Sequence, residues 1–319
     1  MLTLEAPFDS AGTRCAGTLY LPSPTGRPPV VLLAHGLAAE RRFGLHAFAE
    51  RFVARGLAAF VFDYRSFGDS EGEPRALVSP RRHVADWHAA AAFMRQHPRV
   101  DGERLALWGT SLGGGHVLTV GAANHAVRAI VAQVPFVDGI ASALQLSLAD
   151  QLRGTLHGLW DLACAAVGAA PHRVPVVAAP GHFALMNSAE SEPGYRSMIP
   201  PGVDWPNAVP ARALLTLPGY RPIRSVARIR CPVLLISAEY DSLIPIVAVE
   251  RTARRIREVT HIRMPVGHFD LYSGPGFETA VVAEADFLER ILTTPALERV
   301  PPPPMRSRRA VARSVAGED

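Results

Sequence analysis

Short apolar runs, each bounded by turn residues, alternate along the chain with stretches of helical periodicity, and this alternation constrains the fold more than any other feature. The runs are Val30 to Ala34, Leu57 to Phe62, Arg104 to Trp108, Ala129 to Val134 and Val233 to Ser237, with a weaker one from His261 to Met264. Runs this short that lack polar alternation read as strands buried on both faces, the habit of parallel sheets. Between them lie helix-like stretches, Phe43 to Arg55, Arg81 to His97, Leu112 to Asn124, Ile246 to Glu258 and Phe277 to Leu292. The pattern predicts an α/β fold built on a doubly wound, mostly parallel sheet. Ahead of it, Leu2 to Phe8 and Arg14 to Tyr20 flank Asp9-Ser10-Ala11-Gly12 and predict an antiparallel hairpin at one edge.

Residues 138–222 break the rhythm. They open with a helical pattern that puts Leu144, Leu148 and Leu152 on one stripe, continue through Leu159-Trp160, and become Pro-rich from Pro171 to Pro222. The division expected is a core of residues 1–137 and 223–294, an inserted cap or lid of residues 138–222, and a disordered tail of residues 295–319, which carries Pro301-Pro302-Pro303-Pro304 and an Arg-rich stretch.

Composition excludes several functions. All 33 basic residues are Arg, so no lysine amine is present for Schiff-base chemistry, pyridoxal phosphate or a Walker A loop. The net charge of +4 leans on the tail: residues 301–319 hold four Arg against Glu318 and Asp319, which leaves 29 Arg against 27 acids elsewhere. A nearly neutral body predicts no nucleic-acid partner. Cys15, Cys164 and Cys231 are far apart and have no histidine at zinc-ligand spacing, so reduced structural thiols and no metal are expected. Met1 to Ser10 has no basic leader pattern and no apolar run reaches membrane-spanning length, which predicts a cytoplasmic protein without membrane insertion; oligomeric state is not legible.

The chemistry centres on Gly109-Thr110-Ser111-Leu112-Gly113, placed between the run Leu105-Ala106-Leu107-Trp108 and a Gly- and Ala-rich helix. A strand that turns into a helix this abruptly strains its middle residue and presents the Ser111 hydroxyl, an arrangement known as a nucleophile elbow. The pentapeptide alone fits an ordinary strand-to-helix turn as well. A serine hydroxyl needs an imidazole base, and the imidazole needs a carboxylate. Asp241 follows the run Val233 to Ser237, and His268 follows the next run, each in a loop. Asp241 also suits a helix N-cap, Glu239 lies close by, and Asp138 is a rival acid. For the oxyanion, the backbone N–H of Leu112 and that of Leu37, in His35-Gly36-Leu37, are the expected donors, with Gly36 permitting the turn and His35 anchoring the loop.

From about residue 30 to 136 and from 224 to 293 the chain resembles the α/β-hydrolases, in which a serine, an acid and a histidine occur in this order. Asp63-Tyr64-Arg65-Ser66-Phe67-Gly68-Asp69-Ser70 is similar to the D-x-R-G-x-G-x-S loop of that superfamily, with Ser66 in place of its first glycine. Asp63 and Arg65 are expected to form a structural ion pair. Within the superfamily the resemblance is nearest to dienelactone-hydrolase-like and dipeptidyl-peptidase-like bacterial esterases, a group with polyketide acyltransferases among its relatives. It implies a serine esterase working through an acyl-enzyme, without cofactor, on a small ester or thioester. The apolar cap implies an apolar acyl or alcohol group, with Leu144, Leu148 and Trp160 as expected pocket residues. Thioester hydrolysis, acyl transfer to an alcohol and a non-catalytic binding role on the same scaffold are the alternatives.

Overall fold

Eight strands form one sheet in the computed structural model, which describes residues 1–293. They are β1 (Leu2–Glu5), β2 (Gly17–Leu21), β3 (Pro29–Ala34), β4 (Ala58–Phe62), β5 (Asp101–Thr110), β6 (Ala129–Gln133), β7 (Val233–Ala238) and β8 (Val259–Met264). Their order across the sheet is β1-β2-β4-β3-β5-β6-β7-β8. All pairings from β4 to β8 are parallel, whereas β1 and β2 make an antiparallel edge. The predicted leading hairpin is present and keeps one register, with Leu2 opposite Leu21 and Phe8 opposite Cys15. Its turn is Ala11-Gly12, with φ of 52° and 79°, the positive pair that matches a type I′ hairpin turn.

Side chains alternate across the buried strands and so feed two separate cores. Val30, Leu32, Phe60 and Phe62 join one cluster, while Val31, Leu33, Ala59 and Val61 join the other. The first is covered by α2 (Pro80–Gln96), α3 (Leu112–Ala123) and α5 (Ile246–Ala253), through Trp87, Met94, Val117 and Val249. The second is covered by α1 (Leu45–Ala54) and α6 (Gly274–Thr293), through Phe48, Phe52, Phe277 and Leu288. Burial on both faces is why these strands read as unbroken apolar runs. At the edge, β8 is only half covered, which accounts for its weaker signal. Between β6 and β7 the chain leaves the sheet and forms α4 (Leu148–Ala166) together with three short helices, Gly139–Ala143, Ser191–Ser197 and Ala213–Thr216. The expectation for residues 295–319 lies outside the described residues.

The ion pair expected between Asp63 and Arg65 does not form. The chain has left β4 and turns at Arg65, which carries the two side chains to different neighbours: Asp63 pairs with Arg41 at 2.9 Å and Arg65 with Asp86 at 2.6 Å. Both carboxylates are buried, and burial pushes the Asp63 carboxyl up to about 6 despite the Arg41 charge. No helix among the described residues is long and apolar enough to cross a membrane.

Glu284 in α6 is wholly buried and meets the protein through one bond, from Trp108 Nε1 to its Oε2 at 2.9 Å. Burial pushes its carboxyl from 4.5 up to about 8, against the opposing effect of the Trp108 bond. Between these two values the native chain must keep a proton that the unfolded chain has released. Stability therefore falls as pH rises through that window, by a total on the order of 5 kcal/mol. Denaturant midpoints for Glu284→Gln are expected to lack this fall and to exceed wild type at about pH 8; equal slopes for the two proteins would remove Glu284 as its cause.

Candidate active site

Parallel strands deliver all their carboxyl ends to one edge of the sheet, and four loops meet there. His35-Gly36-Leu37 follows β3, Ser111 follows β5, Asp241 follows β7 and His268 follows β8. Ser111 has φ 55° and ψ −121°, a conformation that costs a non-glycine residue on the order of 1–3 kcal/mol. Neighbouring backbone holds it there. The Ser111 N–H donates to Gln133 O at 2.9 Å, and Ser111 O accepts from Phe136 N at 2.8 Å and Gly115 N at 3.2 Å. A Cβ on Gly113 would lie 2.5 Å from the His35 carbonyl oxygen, and one on Gly36 would lie 2.8 Å from Ser111 Cβ. Gly36 thus serves by leaving room for Ser111, and the left-handed residue of its loop is Ala38, with φ 56°.

His268 is buried with Nε2 at 3.2 Å from Ser111 Oγ and Nδ1 at 2.7 Å from Asp241 Oδ2. The other oxygen of Asp241 accepts the N–H groups of Leu243 and Ile244, each at 2.8 Å, which fixes the carboxylate. Burial works to lower the His268 pKa, but the charge and hydrogen bond of Asp241, aided by the charge of Glu190, outweigh it and leave the pKa raised. The rival acids are engaged elsewhere. Asp138 forms a two-pronged pair with Arg221, both contacts at 2.7 Å, and caps the helix Gly139–Ala143. Glu239 pairs with Arg263 at 3.2 Å. His35 Nε2–H donates to Phe43 O at 2.6 Å, and the imidazole is held neutral, burial pulling its pKa down to about 4.

A cavity of about 560 Å³ opens beside Ser111, with Leu37 and Leu112 in its wall. Leu112 is the first residue of α3, where an N–H has no acceptor within the helix. Three expected pocket residues are absent from this wall: Leu144, Leu148 and Trp160 are 71%, 82% and 61% exposed. Helix α4 instead turns its small-residue face inward. Gly158 lets it approach Leu215, since a Cβ there would lie 2.6 Å from Leu215 Cγ, and the buried Asp161 grips Arg212 at 2.6 Å. Gln151, Gly154 and Thr155 of that helix reach the cavity, which takes its apolar lining from Phe136, Leu146, Leu185, Met186, Leu217 and Ile244.

Two residues of segment 138–222 that no motif marks also touch these loops. Glu190 Oε1 accepts from Ser242 N at 3.0 Å and Ser242 Oγ at 2.5 Å, while its Oε2 accepts from His268 N at 2.9 Å. One carboxylate therefore ties the loop of Asp241 to the loop of His268. Tyr195, buried, donates to Leu37 O at 3.0 Å. A charge among apolar and Pro-rich sequence is the one signal that points toward Glu190, and Glu192 shares it. Among the described residues, no group of three or more His, Cys, Asp or Glu side chains could hold a metal ion.

Comparison with known proteins agrees with this architecture. Residues 27–173 match the family model described as serine aminopeptidase, S33. Over 91% of this chain, and 95% of the relative, the sequence is 41% identical to the quorum-quenching protein AidA of Acinetobacter baumannii. It is 24% identical to the polyketide transferase grgF of Penicillium sp, over 88% of this chain and 93% of that protein. The crystal structure of the alpha/beta hydrolase GrgF from Penicillium sp. sh18 superposes with a TM-score of 0.77 at 21% identity, covering 92% of this chain and 100% of that one. Taken with the strand order and the strained serine turn, these likenesses establish that the chain belongs to the α/β-hydrolase family of enzymes.

Proposed function

We propose that this enzyme is a serine esterase in which Ser111 is the nucleophile, His268 the base and Asp241 its partner acid. The observation that carries the reading is the hydrogen-bonded series Asp241–His268–Ser111, at 2.7 and 3.2 Å, ending at a cavity. Asp241 accepts the Nδ1 proton, which leaves Nε2 free to take the Ser111 proton as Oγ attacks a carbonyl carbon. The oxyanion is received by the N–H groups of Leu37 and Leu112, each such donor contributing about 3 kcal/mol to the transition state. His268 then passes its proton to the leaving alcohol, and water, activated by the same imidazole, releases the acid. Glu190 acts by position, keeping the two loops at one spacing.

Segment 138–222 is read as a cap. Its Leu146, Leu185, Met186 and Leu217 line the cavity, Asp150 is the one charged residue in the lining, and no Arg is present there. An uncharged ester with an apolar acyl or alcohol group fits such a wall, and a polyanion does not. The relative named polyketide transferase supports a second reading, transfer of the acyl group to an alcohol in place of water. The relative named for quorum quenching adds small signalling molecules to the carbonyl compounds worth assaying.

A fluorophosphonate probe is expected to label wild type and not Ser111→Ala; absence of label on folded wild type would defeat the nucleophile assignment. On p-nitrophenyl esters, Asp241→Asn is expected to lower kcat about 10⁴-fold, with Asp138→Asn near wild type. The reverse ranking moves the acid to Asp138. Glu190→Gln should lower kcat on the order of tenfold with KM little changed. Because the Glu190 charge helps raise the His268 pKa, its loss should also carry the acidic limb of kcat to lower pH. An unmoved limb would reduce Glu190 to a structural contact.

A further inference from the structure

We propose that the exposed leucine face of α4 is a self-association surface, on which a second copy of this chain packs its own α4 antiparallel. Among the described residues, nine large apolar side chains between Ile140 and Val167 are 45–82% exposed. Leu148, Leu152, Leu156 and Leu159 are spaced i, i+4, i+8 and i+11 and so share one face of the helix. Together the nine offer on the order of 800 Å² of apolar surface, the amount one partner contributes to a stable interface and above the largest patch typical of a monomer.

The pattern is self-complementary, as a two-fold interface requires. With the axis beside Thr155 and Leu156, an antiparallel copy brings Leu152 against Leu159 of its mate and Leu148 against Ala163. The short side chain of Ala163, which is itself exposed, leaves room for Leu148. A seam with such spacing suits helices crossing at about 20°.

Charge selects a second copy over a lipid surface. Helices that lie on membranes carry Lys or Arg along their polar face. The one basic residue in α4 is Arg153, and it has Asp150 at 3.8 Å; the remaining acid, Asp161, is buried against Arg212. A nearly neutral leucine stripe has no attraction for an anionic membrane and none of the like-charge repulsion that would keep two copies apart. The same helix supplies Gln151, Gly154 and Thr155 to the cavity wall, so pairing would brace that wall from outside.

Sedimentation velocity on the full chain, over roughly 1–100 µM because interfaces of this size span a wide affinity range, is the test. Wild type is expected near twice 34.3 kDa, and Leu152→Glu and Leu156→Glu near 34.3 kDa with an unchanged circular dichroism spectrum. A monomeric wild type at the highest concentration overturns the proposal, as does a dimer that survives both substitutions. A monomer that floats with phosphatidylcholine vesicles overturns it too and gives the face to lipid. Register is read separately by oxidative cross-linking: Leu156→Cys, beside the axis, should give a covalent dimer, and Leu148→Cys should not. The opposite result overturns the antiparallel pairing.

Discussion

Everything at the carboxyl edge of the sheet depends on the left-handed turn at Ser111. Its carbonyl and amide are spent on Gln133, Phe136 and Gly115, so the turn is bonded to the end of β6 as well as to its own helix. Packing around it is tight enough that side chains are excluded at Gly36 and Gly113. The strain of a positive φ at a serine is thus held in place by a cooperative set of backbone contacts, and the turn can persist only inside an assembled sheet. Foldedness and a correctly aimed hydroxyl are one condition here.

The sheet was legible because most of its strands are buried on both faces, and a buried strand has no solvent side to interrupt its apolar run. Ser111, Asp241 and His268 were legible for another reason: each closes a run that ends at the same edge, so order along the chain translates into proximity. Glu190 and Tyr195 were not legible. Their contacts reach 78 residues to His268 and 158 to Leu37, and neither lies in a recurring local pattern. The leucine stripe of α4 shows how periodicity misleads. It reports that one face is apolar and says nothing about which neighbour covers it, and the face that packs is the one where Gly158 permits close approach. Asp63 and Arg65 mislead similarly, since closeness in sequence was mistaken for facing side chains.

In a chain without lysine, arginine serves the ion pairs of the described residues apart from that of Asp241 with His268, and two buried carboxylates take advantage of its planar fork. Asp138 meets Arg221 and Asp161 meets Arg212 through two contacts each, which fixes direction as well as distance. Both pairs sit within segment 138–222 and secure its helices to one another or to the loop leading back to β7. Shape there is set by charge geometry as much as by apolar packing.

The tie between Glu190 and two separate loops of the core has a consequence for exchanging the segment that carries it. A segment that only lined a cavity could be exchanged wholesale for another and leave the loops of Asp241, His268 and Leu37 untouched. Here the same segment holds the backbone of His268, the loop of Asp241 and, through Tyr195, the carbonyl of Leu37. Exchanging it would remove these three contacts along with the cavity lining. Replacing a single lining residue such as Leu146 or Met186 changes the cavity wall and leaves these three contacts in place.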